Sequence, residues 1–347
     1  MPWNIINSVK TVASTQKLTE RSWVAVGNGT GRRLATSTNG NSNSWSSVTG
    51  FNTEFWRDVA YGNDSSSNGL WIAGGDQQSG ICLIKSLNRT TWTSITSPLT
   101  TAPGVAYGKD GSGKGLWVAV GTGGNTVIRS TDGTNWTDAS GIVFTTGGTK
   151  VAYGKDTSNN GLWIAVGSGG NNIARSTDGI NWDRSNQTIL TDIRSVRYGK
   201  DGAGNGLWLA VGGINNSNTI ISSSNGGRNW NAGGTGTINS YAIDVFYGNN
   251  LWILAGLTLS NTKPLATSTN GSTWTSVTDP ILTNAGGVRY GKDSSGNGLW
   301  VATGSDGGSN AFVSSTNGNT WTARGGLSIF NNGGGFKVAF SEIIEPP

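Results

Sequence analysis

Short hydrophobic runs alternate with glycine-rich polar turns along most of the chain. In residues 105–139 four such runs follow one another: VAYG, GLWVAVG, NTVIRS and NWTDA. Runs of this length that are rich in Val, Ile, Trp and Tyr and bounded by Gly, Asn and Asp are typical of β-strands. Lys-Asp-Gly-Ser-Gly-Lys separates the first two runs and Thr-Asp-Gly the last two, so the segment predicts an antiparallel meander of four strands.

The same unit recurs along the chain, and two tryptophans mark each copy. One lies in each predicted second strand, 44 to 48 residues after its predecessor, and the other follows a hairpin before the fourth strand. A period in the mid-forties with about four strands per repeat is the signature of a propeller blade. The sequence therefore predicts an all-β, seven-bladed β-propeller of four-stranded antiparallel blades in residues 21–345. The tryptophan pairs are Trp23/Trp45, Trp71/Trp92, Trp117/Trp136, Trp163/Trp182, Trp208/Trp230, Trp252/Trp274 and Trp300/Trp321.

The chain has one more predicted first strand than it has blades. The last of these, in the sequence GGGFKVAFSE, is similar to GGVRYGKD at 286–293. We expect residues 336–341 to supply the innermost strand of the N-terminal blade, so that the C-terminal strand closes the ring. Residues 1–20 then form an N-terminal arm that either lies along the ring or reaches a partner subunit.

Composition excludes much catalytic chemistry. The chain has no His and a single Cys, Cys82, so the usual general base, the commonest metal ligand and an internal disulfide are all absent. We predict no cofactor and no metal site. The net charge of +5 comes from scattered residues, and a nucleic-acid partner is not expected without a basic stripe. No signal peptide or membrane span is predicted, which favours a soluble protein that is cytoplasmic or associated with a virion.

The hairpin before each fourth strand carries a recurring motif. It reads STDGTNW at 130–136, STDGINW at 176–182, STNGSTW at 268–274 and SSNGGRNW at 223–230. These segments resemble the Asp-box, or BNR repeat, of the sialidase-like propellers, whose pattern is Ser-x-Asp-x-Gly-x-x-Trp. Asp132 and Asp178 are the only acids at the Asp position, and Asn fills it elsewhere. An Asx side chain that accepts backbone N–H groups of its own turn explains the motif without any catalytic role.

The resemblance implies a sialidase-like arginine triad, a Tyr–Glu pair and an acidic general acid/base, but the sequence departs from that set. It lacks an N-terminal Arg-Ile-Pro element and has only four glutamates. A glycosidase usually needs two carboxylates that flank the scissile bond. Glu54 and Asp58 stand near the start of one first strand, and Asp192 and Asp244 near the starts of two others, which does not by itself make a site. We therefore predict no enzyme, with a glycoside hydrolase as the alternative.

A second recurring turn begins with an aspartate and superficially resembles a calcium loop. No copy has the glutamate that completes an EF-hand. We interpret these turns as plain hairpins, with solvated lysines beside them. The turns begin at Asp64, Asp110, Asp156, Asp201 and Asp293.

Binding residues in propellers are expected where the repeats differ, in the loops that enter the first strands. Trp56 is the one tryptophan inside the array that breaks the repeat, and either a core role or a ligand contact fits it. We predict a non-enzymatic propeller that binds carbohydrate or a protein partner, either alone or within a larger assembly such as a virion; an intracellular assembly scaffold is a further alternative. The ligand-binding candidates are Glu54, Trp56, Arg57, Asp58, Lys150, Arg194, Tyr241 and Asp244.

Overall fold

The computed structural model of the chain consists almost entirely of short antiparallel strands. It describes residues 21–27, 33–41, 44–51, 55–77, 80–139, 143–169, 172–185, 187, 190–213, 219–236, 241–257, 263–308, 310–330 and 335–341. The predicted arm at 1–20 and the candidate Glu54 lie outside these residues.

The strands follow the predicted order, with a long second strand that carries a tryptophan in each unit. The first units contain β1 (Trp23–Gly27), β2 (Leu34–Ser37), β3 (Ser46–Val48), β4 (Phe55–Asn63), β5 (Gly69–Asp76), β6 (Leu83–Ser86) and β7 (Thr93–Ile95). Next come β8 (Leu99–Lys109), β9 (Gly115–Gly123), β10 (Val127–Ser130), β11 (Thr137–Asp138), β12 (Gly147–Lys155), β13 (Gly161–Ser168), β14 (Ile173–Ser176) and β15 (Asp183–Arg184). They are followed by β16 (Asp192–Lys200), β17 (Gly206–Gly213), β18 (Ile220–Ser223), β19 (Asn231–Ala232), β20 (Thr235–Gly236), β21 (Ala242–Gly248), β22 (Leu251–Gly256), β23 (Leu265–Ser268) and β24 (Thr273–Ser276). The last are β25 (Asn284–Lys292), β26 (Gly298–Ser305), β27 (Phe312–Ser315), β28 (Thr322–Ala323), a 3-10 helix (Leu327–Phe330) and β29 (Gly335–Phe340).

Consecutive strands pair into four-stranded meanders: β4 to β7, β8 to β11, β12 to β15, β16 to β19, β21 to β24 and β25 to β28. A further sheet has the order β29-β1-β2-β3, which joins the two ends of the described chain. Its register places Trp23 opposite Phe340 and Ala25 opposite Val338. This is the pairing expected for the C-terminal strand.

The first strand of each meander is called its inner strand here. The inner strands are β4, β8, β12, β16, β21, β25 and β29. Successive inner strands lie against one another, and the series continues from β25 to β29 and from β29 to β4. Side chains on one inner strand can therefore interact with residues of the neighbouring inner strands.

The hydrophobic core lies between adjacent meanders, which explains why the second strands are apolar on both faces. In β13 the segment from Leu162 to Gly167 is buried throughout, whereas the two residues of the outermost strand β15 are exposed. Each second-strand tryptophan of six meanders packs on a tyrosine of its inner strand, with ring centroids 4.9 to 5.2 Å apart. Such aromatic pairs add to the free energy of area burial.

Indole hydrogen bonds tie five of the sheets to a neighbouring one. The Nε1 of Trp117 donates to the carbonyl oxygen of Asn63 at 2.8 Å, and that of Trp163 to the carbonyl oxygen of Lys109 at 2.8 Å. Trp23 makes the same type of bond to the carbonyl oxygen of Lys292, at 3.2 Å. The contact between the N-terminal sheet and the β25 to β28 meander thus repeats the contact between sheets that are consecutive in sequence.

One sheet departs from the repeat at two places. Strand β20 adds a parallel pairing at the outer edge of β24, which the sequence did not predict. The turn between β21 and β22 is shortened to Asn249 and Asn250, which have φ values of 48° and 56°. In other meanders the residue just before this turn supplies the carbonyl oxygen that accepts the indole N–H of the next meander. With the shortened turn, the buried Nε1 of Trp300 has no hydrogen-bond partner among the described residues.

A glycine in most of the tryptophan hairpins lies close against the neighbouring meander, and Gly133→Ala is expected to destabilise the fold. Gly133 and Gly113 both have left-handed φ values, 69° and 81°. A Cβ at 133 would lie 2.4 Å from Leu70 Cδ2, whereas one at 113 would meet nothing within 4 Å. We expect both alanine variants to lose about 1 kcal/mol to the backbone, and Gly133→Ala about 1 to 2 kcal/mol more to overpacking. Urea unfolding measures the difference, and equal losses would contradict the packing role.

Candidate functional site

Charged residues collect at one level of the inner strands, immediately before a valine that recurs in each of them. The seven residues at this level are Asp58, Gly104, Lys150, Ser195, Asp244, Gly287 and Lys337. Three of them are sequence-predicted candidates. The two aspartates and two lysines are almost completely buried, so they must be paired to be stable as ions.

Asp58 and Lys150 form the first buried ion pair, between β4 and β12. The side chains are 3% and 2% exposed. The other carboxylate oxygen of Asp58, Oδ2, accepts the backbone N–H of Val105 in the intervening strand β8 at 2.9 Å. Gly104 precedes that valine, and a Cβ on it would lie 2.7 Å from the Cα of Lys150. A glycine is therefore needed where β8 and β12 approach.

Asp244 and Lys337 form a second buried ion pair, between β21 and the C-terminal strand β29. The Nζ of Lys337 lies 3.0 Å from Asp244 Oδ1, which also accepts the hydroxyl of Ser195 at 2.7 Å. The backbone N–H of Val288, in the intervening strand β25, donates to Oδ2 at 3.3 Å. Both pairs thus span an intervening inner strand, and the carboxylate accepts an N–H group from that strand.

These surroundings shift the pKa values of the buried groups. Burial acts to raise the pKa of Asp244, but Lys337, Arg197 and Lys150 together hold it at about 2. Burial, reinforced by the positive charge of Arg197, lowers the pKa of Lys150 to about 7 although Asp58 opposes the change. Asp244 is therefore a permanent anion near neutral pH, whereas Lys150 is close to its titration point.

Two arginines and a phenylalanine lie two residues further along their strands, after the recurring valine. The guanidinium carbon of Arg289 lies 4.3 Å from the ring centroid of Phe246, and that of Arg197 lies 5.9 Å from it. Neither arginine forms an ion pair with a carboxylate among the described residues, and the buried Nε of each has no hydrogen-bond partner there. Burial and the charge of Arg197 lower the pKa of Arg289 to about 9. These two arginines, Asp58, Asp244, Lys150 and Lys337 are called the central cluster below.

The sequence candidates did not include Arg197, Phe246 or Arg289. The signal that could have identified them is a departure from alanine, because the corresponding residues of the other inner strands are Ala60, Ala106, Ala152 and Ala339. The predicted candidates lie where the chain enters the first strands, at least two residues before this position.

Arg194 and Tyr241 come together at the start of β16 with Asp192, and these three residues are called the rim site. Arg194 Nε and Nη2 both donate to Asp192 Oδ2, at 2.9 and 2.7 Å, and the Tyr241 hydroxyl donates to the same oxygen. The guanidinium also lies 5.2 Å from the Tyr241 ring centroid. The Arg194 side chain is 42% exposed, so this group is accessible to a ligand.

The remaining candidates lie apart from the rim site. Arg57 is partly exposed and donates through Nε and Nη2 to Asp76 Oδ2, at 2.9 and 2.6 Å. Trp56 is fully buried; its ring packs against Phe51 and its Nε1 donates to the Phe51 carbonyl oxygen at 3.2 Å. The structure thus gives Trp56 the core position, which was one of its two interpretations.

Hydrogen bonding within the tryptophan hairpins accounts for their recurring residues. Ser130 Oγ accepts the backbone N–H of Gly133 at 2.8 Å, and Asp132 Oδ1 accepts those of Thr134 and Asn135, each at 2.8 Å. Against the effect of burial, these donors lower the pKa of Asp132 to about 2. Asn270 makes equivalent bonds, to Ser272 and Thr273 at 2.9 and 2.8 Å. Asp and Asn therefore accept the same backbone hydrogen bonds in these turns.

In the recurring aspartate turns, too, the carboxylate accepts backbone N–H groups of its own turn. Asp110 Oδ1 accepts backbone N–H groups of Ser112 and Lys114 at 2.8 and 2.9 Å. Although burial opposes the change, these bonds lower the pKa of Asp110. No group of three or more acidic, Cys or His residues in the described part of the chain has the geometry to hold a metal ion. Within the same residues, no helix is long and apolar enough to span a membrane.

Comparison with solved structures identifies the fold of the chain. Neither a protein-family profile nor a curated protein matches the chain. Among solved structures it is similar to a GH74 enzyme from Niastella koreensis, with 21% identity and a TM-score of 0.52. The match covers 84% of this chain but only 40% of that enzyme.

Two other similar structures match over most of their own length. Virginiamycin B lyase from Staphylococcus aureus has 13% identity and a TM-score of 0.53, with 76% of this chain and 82% of the lyase covered. YCF48 from Cyanidioschyzon merolae has 15% identity and a TM-score of 0.50, with 89% and 91% covered. Identities this low carry the fold and not the activity. The chain has a β-propeller fold, as the tryptophan repeats predicted.

Proposed function

We propose that the chain is a closed seven-bladed propeller that binds carbohydrate without hydrolysing it. Closure is supported by the pairing of β29 with β1, by the unbroken series of inner-strand contacts, and by the indole bond from Trp23 to Lys292. A closed ring leaves no unpaired meander face, which suits sheets that are apolar on both sides.

The observation that supports the absence of hydrolysis is that the two buried inner-strand carboxylates, Asp58 and Asp244, are both paired with lysines. A glycosidase needs a carboxylic acid whose pKa is raised so that it can protonate the leaving group. Asp244 has a pKa of about 2, and its oxygens already accept a lysine, a hydroxyl and an N–H group. Asp58 is occupied in the same way by Lys150 and Val105. Neither carboxylate is available as a proton donor or nucleophile.

The rim site supports carbohydrate as the ligand. Arg194 offers outward N–H donors beside the carboxylate of Asp192, and the aromatic ring of Tyr241 lies next to both. A donor and an acceptor side by side match the paired hydroxyls of a sugar ring, and an aromatic surface complements its C–H face. The ion pair holds the three side chains in place before the ligand arrives, which reduces the entropy lost on binding.

A glycan array followed by calorimetry with the best glycan tests this proposal. We expect saturable binding, no release of reducing sugar, and a loss of affinity of about tenfold or more in Arg194→Ala, which removes charge-assisted hydrogen bonds. Tyr241→Phe should weaken binding less, because only the hydroxyl that orients Asp192 is lost.

Tyr247→Phe is the matched control, since Tyr247 stands at the other end of the same strand and its hydroxyl bonds to Asn250 at 3.3 Å. Its affinity should equal that of the unaltered protein. Absence of any bound glycan, or equal affinity in Arg194→Ala and Tyr247→Phe, would contradict the rim site. Sugar release by the unaltered protein would contradict the non-catalytic proposal.

A further inference from the structure

The central cluster holds more positive than negative groups. Its two carboxylates, Asp58 and Asp244, are each paired with a lysine. Arg197 and Arg289 remain, and no carboxylate in the described part of the chain pairs with either of them. With every group ionised, the cluster carries a surplus of two positive charges.

The surplus is unfavourable in the absence of a counter-ion. Mutual repulsion contributes to the lowered pKa values of Arg289 and Lys150, and Arg197 acts on both. Like charges in a partly buried region are stabilised by an anion of opposite charge more strongly than by water. The cluster is therefore preorganised for an anion.

The two arginines also have unsatisfied hydrogen-bonding capacity, although Arg197 Nη1 donates to the carbonyl oxygen of Val196 at 3.2 Å. Both guanidinium groups lie against the ring of Phe246, and their buried Nε atoms have no partner among the described residues. Both side chains are only partly buried, so the region is reached from solvent. A guanidinium donates paired N–H groups to oxyanions in a geometry that a spherical ion cannot match.

We propose that the central cluster binds a small dianionic oxyanion of the phosphate or sulfate type, held by Arg197 and Arg289. Two negative charges balance the surplus, and tetrahedral oxygens accept from both arginines. The inference is independent of carbohydrate binding at the rim site, because it uses none of the same residues. It gives a role to the only inner strands that replace alanine with arginine at this position.

Titration calorimetry with inorganic phosphate, in a buffer free of other oxyanions, tests the site. We expect saturable binding to the unaltered protein and weakening by tenfold or more in the double variant Arg197→Ala/Arg289→Ala. Alanine stands at the corresponding positions of four other inner strands, so this variant is expected to fold, as circular dichroism would verify. If it does not fold, each single variant should weaken binding by at least threefold.

Lys155→Ala/Lys200→Ala is the matched control, because it removes the same net charge from partly exposed turn residues. It should bind phosphate as the unaltered protein does. Equal weakening in the two double variants, no saturable phosphate binding, or equal affinity for chloride would each overturn the proposal. Acetate as strong a ligand as phosphate would overturn its dianion specificity.

Discussion

Asp244→Ala is expected to lower the free energy of unfolding by about 3 to 5 kcal/mol, the range typical of breaking a buried ion pair by removing one partner. The substitution leaves Lys337 buried without its carboxylate, with Arg197 nearby and the Ser195 hydroxyl and the Val288 N–H without their acceptor. Each group loses a partner that it cannot replace with water, since Asp244 is only 2% exposed. Urea unfolding followed by tryptophan fluorescence measures the change.

Asp76→Ala provides the control for Asp244→Ala. Asp76 also accepts two bonds from a cation, Arg57, but that pair is about one third exposed. Exposed pairs are worth about 0 to 1 kcal/mol, so Asp76→Ala should cost far less. Asp244→Ala/Lys337→Met should recover part of the loss, because it removes the unpaired buried charge. Equal costs for the two aspartates would show that the buried pair does not stabilise the fold.

The strand repeat could be predicted because its signals are local. A hairpin such as 130–136 is held by bonds between residues two to three positions apart, and the tryptophan after each hairpin is buried, or in the case of Trp182 partly buried. Local patterns of this kind show in the sequence regardless of how the sheets assemble. The outer strands were predicted, but neither their shortness nor β20 was, because exposed edge residues carry no hydrophobic pattern that fixes where pairing ends.

The ion pairs of the central cluster could not be predicted in the same way. Asp58, Lys150 and Asp244 attracted attention because they are unrepeated, but their partners depend on which inner strands face one another. Asp58 pairs across β8, where Gly104 allows the close approach, and a sequence pattern does not encode that distance. Two of the four acids that suggested a hydrolase, Asp58 and Asp244, are thereby explained as counter-ions of buried lysines.

Stability is expected to rise with pH from 7 to 9 because of Lys150. Burial, together with the charges of Arg197 and Lys337, lowers the pKa of Lys150 to about 7 in the fold, against the attraction of Asp58 and Asp244. An unfolded lysine has a pKa of about 10.4. Between these values the unfolded chain binds a proton that the folded chain does not, so the free energy of unfolding increases with pH. The gain is at most about 2 to 3 kcal/mol over these two pH units, and below pH 7 this contribution no longer changes.

The variant Lys150→Met/Asp58→Asn tests the source of that slope. It removes the titrating amine together with its partner, so no unpaired charge is left at this position, while Lys337 and Arg289, whose pKa values are also lowered, remain as in the unaltered protein. Urea unfolding at pH 7, 8 and 9, at constant ionic strength and without phosphate, should show a smaller slope in the variant. Phosphate should also reduce the slope of the unaltered protein if the anion occupies the central cluster, because it favours the charged amine. Parallel slopes in the two proteins would mean that Lys150 keeps its proton in the fold, and that its attraction to Asp58 outweighs burial and the repulsion by Arg197 and Lys337.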